Sequence, residues 1–103
     1  MDAQLKKGVL ELSILQEIDK KDLYGYELVR MLSDYYIDVD TSSFYTILRR
    51  LKRKEYVESY LGTCSGGPQR KYYRLTLSGK DYLQRKLKDY RRLHEIQQQL
   101  GMQ

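Results

Sequence analysis

Apolar residues recur along the first third of the chain at helical intervals. Leu5, Val9, Leu12, Leu15 and Ile18 are four and three residues apart, the period of a helix with one buried stripe. Asp19-Lys20-Lys21-Asp22 interrupts it, and Leu23-Tyr24-Gly25-Tyr26-Glu27-Leu28 is predicted to open a second helix striped by Tyr24, Leu28, Met31 and Leu32. Gly25 would then lie inside that helix at a cost of about 1 kcal/mol relative to alanine. Such a glycine points to close approach of another backbone. Beyond the polar link from Tyr36 to Asp40, the run Asp40-Thr41-Ser42-Ser43 offers cap side chains ahead of Phe44, Ile47, Leu48 and Leu51. That i, i+3, i+4, i+7 stripe predicts a third helix. Its other face carries Tyr45, Thr46, Arg49, Lys52 and Arg53, with Arg50 and Lys54 at the flanks.

The period then changes. Tyr56 to Thr63 is rich in β-branched and aromatic residues with partial alternation, and with Arg70 to Leu75 it predicts a two-stranded hairpin. The tip runs from Cys64 to Gln69 and contains Gly66-Gly67-Pro68, which is turn chemistry. Thr76 or Ser78 is the candidate cap of a last helix reaching about Leu100, whose apolar positions Leu83, Leu87, Tyr90, Leu93, Ile96 and Leu100 average close to 3.5 residues apart. That period suits a coiled-coil-like seam. Some 23 helical residues extend about 35 Å, longer than so small a domain covers, so dimerisation is favoured over packing against the chain's own domain. The predicted fold class is α+β, mainly α: a winged helix-turn-helix of three helices and a two-stranded wing over residues 1–76, followed by a C-terminal dimerisation helix over 77–103.

Charge gives this architecture a direction. Lys and Arg number 19 against 14 Asp and Glu, a formal net charge of +5, so a polyanion is the natural partner. Eleven tyrosines against one phenylalanine and no tryptophan suit half-exposed faces and grooves. The single Cys64 excludes an internal disulfide, and only His94 could join it at a metal. A reducing cytoplasm fits, no metal or other cofactor is expected, and no apolar run approaches the roughly 18 residues that span a bilayer. One Cys, one His and no glycine-rich phosphate loop after a strand give no support to catalysis. The hydroxyl and guanidinium front of the third helix is what major-groove reading requires, although a solvated cationic face has the same composition. The basic strand after the Gly-Gly-Pro turn likewise reads as a wing on phosphates or as an ordinary charged edge.

The order of elements and three motifs resemble the PadR family of bacterial transcriptional regulators. The matching residues are Leu23-Tyr24-Gly25-Tyr26-Glu27-Leu28, then Phe44-Tyr45-Thr46-Ile47-Leu48-Arg49-Arg50-Leu51, and then Gly66-Gly67-Pro68, Arg70-Lys71-Tyr72-Tyr73, Leu75-Thr76 and Gly79. The chain departs from the family in having Ser42-Ser43-Phe44-Tyr45-Thr46 where Gly-Thr-Leu-Tyr-Pro often opens the recognition helix, and Glu55-Tyr56-Val57 where a glycine commonly follows it. The resemblance is to the short branch, with one C-terminal helix per subunit.

It implies a homodimeric repressor on a pseudo-palindromic double-stranded DNA operator. Ser42, Ser43, Tyr45, Thr46, Arg49 and Arg50 would contact DNA from the recognition helix, and Gln69, Arg70 and Lys71 from the wing. Leu83, Leu87, Tyr90, Leu93 and Ile96 would form the dimer seam. Tyr90 stands where drug-binding members carry a tryptophan that sandwiches flat aromatic ligands, so Tyr90 and His94 are the candidates for a small aromatic or cationic effector. A plain seam role for Tyr90 remains the alternative, and the rival function is a basic module that binds RNA or an acidic protein.

Overall fold

Asp2 opens the first helix, α1 (Ala3–Lys20), by accepting the Gln4 and Leu5 amides at 3.0 and 3.2 Å, which satisfies donors that a helix start leaves free. The computed structural model describes residues 2–63 and 66–101. Within them α1 is followed by β1 (Leu23–Tyr24), α2 (Gly25–Ser33), α3 (Thr41–Arg53), β2 (Val57–Gly62), β3 (Arg70–Leu75) and α4 (Leu77–Gln99). The sheet is antiparallel in the order β1-β3-β2, so β3 lies in the middle. Cys64 and Ser65 of the expected hairpin tip lie outside the described residues.

The core explains each helix differently. The α3 stripe of Phe44, Ile47, Leu48 and Leu51 is buried as predicted. On α1 the buried residues are Leu10, Ile14, Leu15 and Ile18, whereas Leu5 is exposed and Val9 and Leu12 are half-buried. The helix therefore has two apolar faces, and the expected stripe mixed them. On α2 the core positions are Leu28, Val29 and Leu32, with Met31 exposed.

Two corrections concern the start of α2. Leu23 and Tyr24 are strand, paired with Tyr73 and Tyr72 of β3, so the sheet has three strands instead of two. A two-residue strand has no period for a sequence to display. Gly25 is the first residue of α2 and escapes the penalty of a helix interior. A Cβ there would meet the rings of Tyr45 and Tyr73 at 3.3 and 3.6 Å, so aromatic rings crowd it instead of backbone.

The corner joining α3, β2 and α4 is tightly specified. Glu55 has φ +64°, the left-handed position that favours glycine. The Tyr56 amide donates to Leu51 O at 3.0 Å and the Glu55 amide to Lys52 O at 2.9 Å, which is the Schellman closure of α3. Thr76 caps α4 by accepting the Gly79 amide at 3.0 Å. A Cβ on Gly79 would lie 1.9 Å from the Tyr56 carbonyl oxygen, so only glycine lets α4 start there.

α4 has the predicted length of 23 residues, and the positions expected to form a seam divide. Leu83 is 1% exposed within the chain's own core, which corrects its placement as a seam residue, and Leu87 packs against that core. Further along, Tyr90 is 54% and Leu93 59% exposed, while Ile96 is half-buried. The radius of gyration of 15.0 Å exceeds the roughly 13 Å expected of a compact chain this long, and the extents of 53 × 30 × 23 Å are elongated along one axis. No helix among the described residues is long and apolar enough to cross a membrane.

Candidate nucleic-acid interface

With its apolar stripe buried, α3 turns a polar strip outward. Ser42, Thr46 and Arg49 are exposed, and Ser43 and Tyr45 are half-buried. The strip is internally ordered: the Thr46 hydroxyl donates to Ser42 O at 2.9 Å, and Arg49 Nη2 donates to Thr46 Oγ1 at 3.2 Å. Arg49 is thus aimed along the helix toward its N-terminus. Tyr45 is anchored beside Gly25, and its neighbour Tyr73 is buried in the sheet. Burial pushes the Tyr73 phenol above its ordinary value, with Tyr45 reinforcing the shift and Arg49 opposing it. A tyrosine fixed at its ring and half-open to solvent presents a defined hydroxyl, which suits contact with a base edge or a phosphate.

Arg50 leaves this strip. Its Nη2 donates to Glu11 Oε2 at 2.9 Å, and the two side chains are only 17% and 13% exposed. The other Glu11 oxygen accepts the Tyr82 hydroxyl. Arg50 therefore joins α3 to α1 and α4, and the expected DNA-contacting group loses one member. The helical period already set Arg49 on the polar front and Arg50 at the flank of the apolar stripe; the partner that draws Arg50 inward is Glu11, among the apolar residues of α1.

The hairpin carries its cations at the free end. β2 and β3 pair from Val57↔Leu75 to Gly62↔Arg70, and Gln69, Arg70 and Lys71 are exposed where the pairing ends. Alternation puts Tyr24, Tyr72 and Tyr60 side by side on the solvent face of three strands. Their ring centroids are 5.6 Å apart in both neighbouring pairs. Cross-strand aromatic pairs stiffen a sheet that has no core behind this face.

The Arg70 guanidinium lies 4.7 Å from the Tyr24 ring centroid, close enough for a cation–π contact. Arg70 is thereby presented from a fixed platform. Arg74, at the other end, is paired with Glu58 at 2.6 Å.

A profile described as the transcriptional regulator PadR-like family matches residues 14–85. The chain belongs to that family. Its members regulate transcription and are not enzymes, so the cationic strip and wing belong to a DNA-binding regulator. The solved PadR-like transcriptional regulator from Bacillus cereus is similar, at 33% identity and TM-score 0.87 over 95% of this chain and 96% of that one. A Streptococcus transcriptional regulator superposes at TM-score 0.88 with 29% identity, covering 96% of this chain and 98% of that chain. An uncharacterized protein of Lysinibacillus sphaericus is 38% identical over 93 residues, 87% of this chain and 85% of its own length.

The PadR-like match ends at residue 85, before the exposed half of α4. There α1 and α4 enclose an open groove of about 560 Å³, lined by Leu5, Val9, Leu12, Tyr90 and Leu93 among others. His94 and Asp89 also border it, as does Glu11. The second apolar face of α1 and the unpaired positions of α4 are therefore one surface. The two effector candidates, Tyr90 and His94, both stand on it.

Proposed function

We propose that the chain is a homodimeric repressor whose two α3 helices enter successive major grooves of a pseudo-palindromic operator. The observation that carries the reading is the presence of two distinct exposed surfaces. One bears Ser42, Tyr45, Thr46 and Arg49 with the Arg70 and Lys71 wing, and the other bears the apolar α1–α4 groove. A monomer leaves Leu93 and Tyr90 in water beside Leu5, whereas a second copy supplying its own distal α4 covers them. Burying such side chains contributes about 1.5–3 kcal/mol each, which favours association through this face.

On DNA, Ser42, Ser43, Tyr45, Thr46 and Arg49 serve base edges and nearby phosphates, and Gln69, Arg70 and Lys71 hold the wing to the backbone. An effector acts by fitting the off-operator dimer better than the bound one. Tyr90 and His94 in the groove offer a ring and a polar contact to a small aromatic molecule, with Asp89 nearby for a cationic one. The test is selection from a random duplex library at moderate salt, with sedimentation of the complex. The reading expects two inverted half-sites about 34 Å apart and two chains per duplex. Recovery of a single half-site by one chain contradicts it, and preference for structured RNA over duplex DNA favours the rival module.

A further inference from the structure

We propose that Glu11 is a positioning residue for DNA recognition, fixing the recognition helix against the long helix through Arg50 and Tyr82. The inference rests on the operator reading above. Glu11 engages one partner with each carboxylate oxygen: Arg50 of α3 at 2.9 Å, and the Tyr82 hydroxyl of α4. Tyr82 in turn stacks on Tyr56, with ring centroids 4.1 Å apart and planes 12° from parallel. Tyr56 is the residue whose carbonyl abuts Gly79. One carboxylate thus gathers α1, the end of α3 and the start of α4.

A largely buried carboxylate with both oxygens committed tolerates few arrangements of its partners. Such a group contributes less to net stability than an apolar replacement of its volume can, and its effect falls on orientation. The orientation matters because of leverage. Ser42 lies eight residues from Arg50, about 12 Å along α3, so a 5° tilt at Arg50 moves the DNA-facing end by about 1 Å. In a dimer joined through α4, the displacement appears twice, with opposite sense, in the distance between the two recognition helices. That distance must match one turn of DNA. Glu11 also borders the α1–α4 groove, so whatever occupies the groove lies beside the residue that holds α3.

The test compares wild type with Glu11→Gln and Tyr82→Phe on three duplexes: the operator selected by the wild type, the same operator with one base pair inserted between half-sites, and a random sequence. Both variants are expected to keep random-duplex affinity within about twofold, because phosphate contacts are untouched. Glu11→Gln is expected to lose about tenfold on the operator and to discriminate less than the wild type against the insertion, which changes the half-site spacing. Tyr82→Phe keeps the Arg50 partnership and removes one hydroxyl, so it carries the test if Glu11→Gln fails to fold, with a smaller loss of operator affinity in the same direction. Equal losses on operator and random duplex, or an unchanged insertion penalty, overturn the proposal while leaving the operator reading intact. If the wild type itself recovers no paired half-sites, the operator reading fails and this inference fails with it.

Discussion

Replacing Gly79 by alanine sets two known effects against each other at one position. Gly79 is the third residue of α4, and alanine is favoured over glycine within a helix by about 1 kcal/mol. The added Cβ would stand 1.9 Å from the Tyr56 carbonyl oxygen, where ordinary contact begins at 3.4 Å. Backbone on both sides must part by about 1.5 Å, the difference between those two distances. Three hydrogen bonds span the same corner: the Thr76 amide to Tyr56 O at 3.1 Å, the Thr76 hydroxyl to Glu55 O at 2.7 Å, and the Ser78 hydroxyl to Glu55 O at 3.1 Å. Each contributes about 1 kcal/mol net. The Tyr56–Tyr82 stack adds about 0.5–1.5 kcal/mol beyond its buried area. Subtracting the propensity gain leaves an expected destabilisation of about 2–4 kcal/mol. Urea unfolding followed by circular dichroism at fixed protein concentration measures it. A Gly79→Ala protein as stable as the wild type would refute the steric account of this corner.

Three further outcomes are expected. Glu55→Gly relieves a left-handed backbone at φ +64° and is expected to stabilise by about 1 kcal/mol, raising the melting temperature by about 4–8 °C; a lowered melting temperature contradicts the strain. Leu93→Asp places a charge on the groove surface without touching the core and is expected to leave a folded monomer, read by sedimentation equilibrium. Burial, reinforced by the Glu11 carboxylate, pushes the Tyr82 phenol above its ordinary value of 10.0. A folded pKa above the unfolded one means stability that is present below about pH 10 and lost as pH rises through the folded value. Tyr82→Phe should therefore lose less stability than wild type above pH 10, and parallel alkaline curves would show that this phenol is not favoured neutral in the fold.

What was legible in the sequence follows physical range. The α3 stripe and the 23-residue α4 could be read because a single helical period decides each. α1 resisted because its two apolar faces, Leu10-Ile14-Leu15-Ile18 toward the core and Leu5-Val9-Leu12 toward α4, overlap in one sequence. β1 was invisible because its two residues acquire strand geometry only from β3. Leu83 and Leu93 have the same chemistry and seam spacing, and what separates them is how far the domain reaches along α4. The helical period separates Arg49 on the polar front from Arg50 at the flank, but the carboxylate that draws Arg50 inward is 39 residues upstream and could not be paired with it from the sequence. The glycine customary after the recognition helix has a physical reason here, since Glu55 occupies a positive-φ position.

The central claim is that α3 and the wing together hold double-stranded DNA, and the salt dependence of binding tests it most directly. Affinity for the selected operator is measured between about 50 and 200 mM salt for wild type and for the Arg70→Ala, Lys71→Ala double variant. Each phosphate contact contributes about 0.9 to the slope of log affinity against log salt, so the variant slope should be shallower by about two. The loss should be the same on operator and random duplex, since these cations are assigned to phosphates and not to bases. An unchanged slope, or a loss confined to the operator, would contradict the wing's role and with it the account of this interface.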